Sequence, residues 1–168
     1  MASNPIVLAV LVLGVGAGAF IDLRTRRVPN ALTLTLAAVG ILCAAVGISG
    51  LTIGASVLGL ALGLGLMLPG YMFGATGAGD VKLLAAAGAL LGPINIGMAF
   101  LYTAIAGGLL ARVVARRRRR LALTLERTGQ IVTTRAANVG EIEHPAANNR
   151  FAYAPAIAIG CLLAAIGL

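Results

Sequence analysis

Residues 81–111 read VKLLAAAGALLGPINIGMAFLYTAIAGGLLA, a run of 31 residues in which Lys82 is the only charge. As one helix the run would be about 46 Å long, too long for one hydrocarbon core and barely enough for two. Gly92-Pro93 stands near its middle. Proline has no N–H to give and crowds the carbonyl four residues back, so a break is expected there. Charge decides the count. With the break, apolar spans fall at about 5–21, 29–48, 51–73, 80–92, 94–115 and 151–168. The segments 22–28, 74–79 and 112–150 then share one side, and they carry or adjoin all 13 Lys and Arg residues. Without it, Arg116 to Arg120 would face away from Arg24, Arg26 and Arg27, against the tendency of basic loops to stay cytoplasmic. The expected fold is all-α: a polytopic membrane protein with about six transmembrane helices and both termini on the outer side. Residues 1–168 form one membrane-embedded domain, and 116–150 form a basic cytoplasmic loop within it.

Composition agrees with this reading. The chain has 168 residues, 60% of them hydrophobic and 11% charged, with a mean hydropathy of +1.00. That leaves too little polar surface to cover a soluble domain, so an integral, multi-pass membrane protein is expected. The formal charge of +8 sits beside the spans. Basic residues placed there set topology and meet anionic lipid. Aromatic content of 4% and the lack of any recognisable module argue against a nucleic-acid partner. The first segment lacks a basic n-region and runs on into Ile21-Asp22-Leu23-Arg24, so it reads as a span and not a cleaved signal. Cys43 and Cys161 lie in apolar runs with no CxxC pair, so neither a zinc site nor a disulfide framework is expected, and no cofactor is implied. Within 116–150, eight arginines face three glutamates. Leu121-Ala122-Leu123-Thr124-Leu125 continues the fifth helix or lies along the interface, and Gly129, Asn138, Gly140 and Pro145 oppose one continuous helix. The sequence leaves the oligomeric state open.

The acids carry the chemistry. Asp22 and Asp80 are the only aspartates, and the glutamates (Glu126, Glu141, Glu143) all lie in the polar loop. A carboxylate in a bilayer costs roughly 2.5–3.5 kcal/mol, which marks both aspartates as functional candidates. Asp22 follows one crossing and Asp80 three, so both fall on the cytoplasmic side and can act as a pair. Two nearby carboxyls that share one proton can hydrolyse a peptide without metal or nucleophilic side chain. The alternatives are poorly placed: His144, the only histidine, lies in the loop, and no serine stands beside a lysine or histidine. Ser49 and Ser56 read as span-end and helix-packing residues. Gly14/Gly18 and Gly59/Gly63 have the spacing that lets helix backbones approach. Gly77 and Gly79 let the chain bend before Asp80 and leave room beside its carboxyl. Lys82, two positions on, points to a different helix face from Asp80. It reads either as an interfacial anchor or as a contact for a substrate acid. Arg24, Arg26 and Arg27 read as topology signals.

Three stretches together resemble the prepilin leader peptidases, the GxGD-type intramembrane aspartic proteases. These are Gly77-Ala78-Gly79-Asp80-Val81-Lys82-Leu83-Leu84, Phe20-Ile21-Asp22-Leu23-Arg24-Thr25-Arg26-Arg27-Val28-Pro29-Asn30 and Tyr153-Ala154-Pro155-Ala156-Ile157-Ala158-Ile159-Gly160. The resemblance covers nearly the whole chain. It implies that Asp22 and Asp80 are the catalytic pair, with Gly77, Gly79 and Lys82 as the supporting motif. The substrates it implies are pilin-like precursors with a short basic leader, a glycine before the cut and an acid shortly after it, ahead of an apolar helix. Larger members resemble a fusion with an N-terminal portion that carries paired CxxC motifs and an N-methyltransferase activity. This chain resembles the compact form linked to tight-adherence (Flp-type) pili and secretion. Two other classes stand beside this reading: a small proton- or cation-coupled transporter, and a non-catalytic subunit of a pilus or secretion assembly.

Overall fold

The computed structural model describes residues 4–117 and 153–167. They form five helices: α1 (Pro5–Thr25), α2 (Asn30–Ala45), α3 (Ile53–Met72), α4 (Ala78–Arg117) and α5 (Ala154–Ile166). No strand occurs among the described residues. The expectation for 116–150 as a basic loop falls almost wholly outside them.

Local chemistry sets the helix ends. Pro5 opens α1, where its missing N–H is tolerated, and the Asn4 side chain accepts from the Ile6 N–H at 3.0 Å. Thr52 caps α3 in the same way, accepting from the Ala55 N–H at 3.1 Å. At the other end of α1, Arg26 adopts a left-handed conformation (φ 54°) and closes the helix with an N–H bond to the Asp22 carbonyl at 2.8 Å. The helix therefore runs past the expected boundary near residue 21, and Asp22 lies inside its last turn and not in the loop that follows.

The expected break at Gly92-Pro93 appears as a kink in α4. Gly92 is non-helical, with φ 77° and ψ 176°, a backbone state that glycine reaches at low cost. The break orphans carbonyls, and side chains recover them. The Ala89 carbonyl would pair with residue 93, which is proline; the Ser56 hydroxyl of α3 donates to it instead, at 2.7 Å. The Asn95 side chain donates to the Leu91 carbonyl at 3.0 Å. Ser56 thus does more than pack, because it satisfies a buried acceptor that the proline leaves open.

The first half of α4 is the centre of the molecule. Leu83, Leu84, Ala87 and Ala89 are fully buried, and α1, α2, α3 and α5 all pack against α4. The small residues let these helices touch. A side-chain carbon on Gly59 of α3 would fall on the Gly88 carbonyl of α4, and one on Gly88 would fall on the Gly59 carbonyl. Gly63 lies against Leu84, Gly14 against Leu36 and Gly18 against Leu83, so all four glycines with GxxxG spacing sit at helix contacts.

Large apolar side chains such as Leu13, Leu34, Met72, Ile94 and Ile105 cover the outside of the bundle, which suits lipid. Among the described residues, three helices are long and apolar enough to cross a membrane: Pro5–Thr25, Ile53–Met72 and Ala78–Val113. Asn30–Ala45 and Ala154–Ile166 are apolar but shorter.

Candidate active site

Asp22 and Asp80 come together at one end of the bundle. The 26–29 connection, the start of α4 and the start of α5 meet there. A carbon on Gly79 would lie 3.1 Å from Val28 Cβ, and the Ala154 N–H reaches Asp22. Both acids are buried, at 6% and 7% exposure, and they lie within electrostatic reach of each other.

One backbone N–H fixes each carboxyl. Asp80 is the third residue of α4, and its Oδ2 accepts from the N–H of Gly77, the capping residue, at 3.1 Å. An acid at this position commonly reaches back to the cap in this way. The Oδ2 of Asp22 accepts from the Ala154 N–H, the first of α5, at 3.4 Å. The Oδ1 atom of each carboxyl makes no hydrogen bond among the described residues. Arg26 lies within electrostatic reach of Asp22, and Tyr153 within that of Asp80.

The supporting motif differs in detail from its expected role. Neither Gly77 nor Gly79 is left-handed; the positive φ of this turn belongs to Gly74 (φ 70°). A side chain on Gly77 would come within 3.2 Å of Asp80 Oδ2, so this glycine does leave room beside the carboxyl. The space at Gly79 is taken by Val28, so that glycine serves the approach of the 26–29 connection. Lys82 is exposed, and its Nζ donates to Asn30 Oδ1 at 2.9 Å. It stands at the rim of an apolar cavity of about 280 Å³ between α2, α3 and α4. Another lateral cavity, about 240 Å³, lies between α1 and α2. Neither cavity includes the aspartates. The Arg24 guanidinium stacks on the exposed Phe20 ring, 4.6 Å from its centroid, as an interfacial side chain does.

Cys43 and Cys161 are both free and buried. Among the described residues, no three of His, Cys, Asp and Glu gather as a metal site. The contribution of α5 to the dyad was not visible in sequence. The third stretch resembles part of the family, but nothing in its sequence marks Ala154 as a donor to Asp22.

The fold and the two acids define an apolar helical membrane protein with a paired-carboxyl centre at one end. The chain belongs to the type IV leader peptidase family, whose family model matches residues 7–112. Comparison with curated proteins and with solved structures finds no match. The matched stretch contains both aspartates and ends before α5. Membership makes the chain a leader-peptidase-like protease of a membrane-embedded family.

Proposed function

We propose that this protein is an aspartic endopeptidase that removes the leader from prepilin-like precursors, Flp-type pilins among them, at the cytoplasmic face of the inner membrane. The observation that carries the reading is the dyad. Two acids from distant parts of the sequence lie buried together at one end of the bundle, in a chain of this family. In this reading the chain crosses the membrane six times, with the kink at Gly92 as one turning point and both termini outside. The dyad end, which carries Arg24, Arg26 and Arg27, then faces the cytoplasm. The 116–150 arginines lie along anionic lipid on the same side.

The reaction needs one water and one shared proton. Two neighbouring carboxyls do not both ionise readily, so in this reading the pair shares one proton. The ionised carboxyl takes a proton from water as its oxygen attacks the scissile carbonyl carbon. The protonated carboxyl gives its proton to the carbonyl oxygen, forming a tetrahedral diol. Collapse of the diol breaks the C–N bond, and a proton passed to the leaving nitrogen releases the mature chain with a free amine. The Oδ1 atoms, which accept no hydrogen bond among the described residues, are the positions this reading gives to water and to the shared proton. The backbone bonds to the Oδ2 atoms fix the orientation of both carboxyls beforehand.

Substitution tests the reading cleanly because Asn keeps an acceptor where each Oδ2 now accepts. Asp22→Asn and Asp80→Asn should each abolish processing of a co-expressed precursor while the protein still accumulates in the membrane. N-terminal sequencing of the wild-type product locates the cut. Full processing by either variant would sink the dyad.

A further inference from the structure

The family match ends at residue 112, yet Ala154 bonds Asp22 through its N–H and Tyr153, beside it, lies within electrostatic reach of Asp80. Tyr153 directly precedes α5. Its ring occupies the space that Gly107 leaves open on the second half of α4. A carbon placed on Gly107 would lie 2.5 Å from the ring Cε2, 2.6 Å from the hydroxyl oxygen and 2.7 Å from Cζ. The hydroxyl donates to the Thr103 carbonyl at 3.5 Å, one turn earlier on the same face of α4. Further along, Gly160 brings α5 onto Thr103 and Ala99. The ring therefore seats the beginning of α5 on α4, and the N–H of the next residue, buried Ala154, points at Asp22 Oδ2.

We propose that Tyr153 is a positioning residue for the dyad. Seated over Gly107, its ring holds the Ala154 N–H against Asp22 and so fixes where that carboxyl stands relative to Asp80. The ring matters more than the hydroxyl here. The notch at Gly107 determines the position of the ring, whereas the bond to Thr103 is long and its acceptor is an ordinary helical carbonyl. A side chain that only packed would change how much protein folds. A side chain that positions Asp22 changes the turnover of protein that has folded. Misplacing a reacting group by about 1 Å can lower the rate by about 100-fold.

The inference rests on the aspartic-peptidase reading, and the test separates the two. Tyr153→Phe, Tyr153→Ala and Gly107→Ala are compared with wild type as full-length protein in detergent, acting on a precursor peptide that the wild type cuts. Tyr153→Phe keeps kcat close to wild type. Tyr153→Ala, which empties the notch, lowers kcat by about 100-fold with KM unchanged. Gly107→Ala lowers it in the same sense with Tyr153 intact, because the added carbon displaces the ring. Amide hydrogen exchange at Ala154 gives a readout independent of activity: Tyr153→Ala speeds it and Tyr153→Phe does not. Should Tyr153→Ala fail to accumulate, Gly107→Ala and Tyr153→Phe carry both measurements. Wild-type kcat in Gly107→Ala or Tyr153→Ala overturns the proposal. So does a rise in KM alone, a loss in Tyr153→Phe as large as in Tyr153→Ala, or unchanged exchange at Ala154. If the wild type cuts no precursor, the peptidase reading fails, and the exchange data still decide whether Tyr153 positions the amide.

Discussion

Ser56→Ala should destabilise the protein without impairing its chemistry. Ser56 is fully buried, and its hydroxyl is 2.7 Å from the Ala89 carbonyl, whose usual helical partner is replaced by Pro93. The substitution removes one oxygen and leaves Cβ in place, so the main consequence is a buried acceptor without a donor. In soluble proteins such a loss costs about 1–3 kcal/mol. Interhelical hydrogen bonds in membranes average about 0.6 kcal/mol and reach about 1.7, because the unfolded chain in the bilayer finds other partners. The position is at the upper end of that range, since neither water nor another backbone N–H can easily replace the hydroxyl. The expected loss is about 1–2 kcal/mol, a fall in melting temperature of about 2–8 °C for a chain of this length. Thr35→Ala is the control. Thr35 is exposed, and its hydroxyl bonds to the Ala31 carbonyl of its own helix at 2.8 Å, where the backbone donor remains. Thermal unfolding in detergent, followed by circular dichroism, measures both. Ala89 lies about 14 Å along α4 from Asp80, so kcat below the transition should match wild type. A Ser56→Ala protein that melts with the wild type, or a Thr35→Ala protein that loses as much, would refute the claim that the kink's orphaned carbonyl is the reason for Ser56.

Two further outcomes follow from the packing. Gly88→Ala places a carbon on the Gly59 carbonyl and should destabilise by about 1–3 kcal/mol through overpacking. Gly65→Ala on α3 meets nothing within 4 Å and should be neutral or stabilising by up to about 1 kcal/mol; the same melts compare them. Lys82→Met removes a cation whose bond goes to Asn30 and not to either aspartate, so kcat should hold. Any loss should appear in KM, and steady-state kinetics on a precursor peptide separates the two.

What could be read in the sequence depended on the range of the physics. The break at Gly92-Pro93 was legible because proline and glycine act on their own backbone. The common end for Asp22 and Asp80 was legible because it follows from the order of apolar runs and basic connections. The number of membrane crossings was harder to read. Apolar residues in the first half of α4 meet protein on nearly every side, with Leu83, Leu84 and Ala87 buried by other helices. Their hydropathy therefore reports the centre of a bundle as readily as contact with lipid. The least legible feature was the donor to Asp22. Ala154 contributes a backbone N–H, a group every residue but proline carries, and its placement depends on how α5 seats on α4. Sequence can identify the residues that bear charge, since such residues are few. Which neutral groups lie against that charge is decided by packing, here by the seating of α5 on α4 with the Tyr153 ring at Gly107. Asp22 and Asp80 could be picked out because acids are rare in this chain, whereas Tyr153 and Gly107 stand where composition gave no signal.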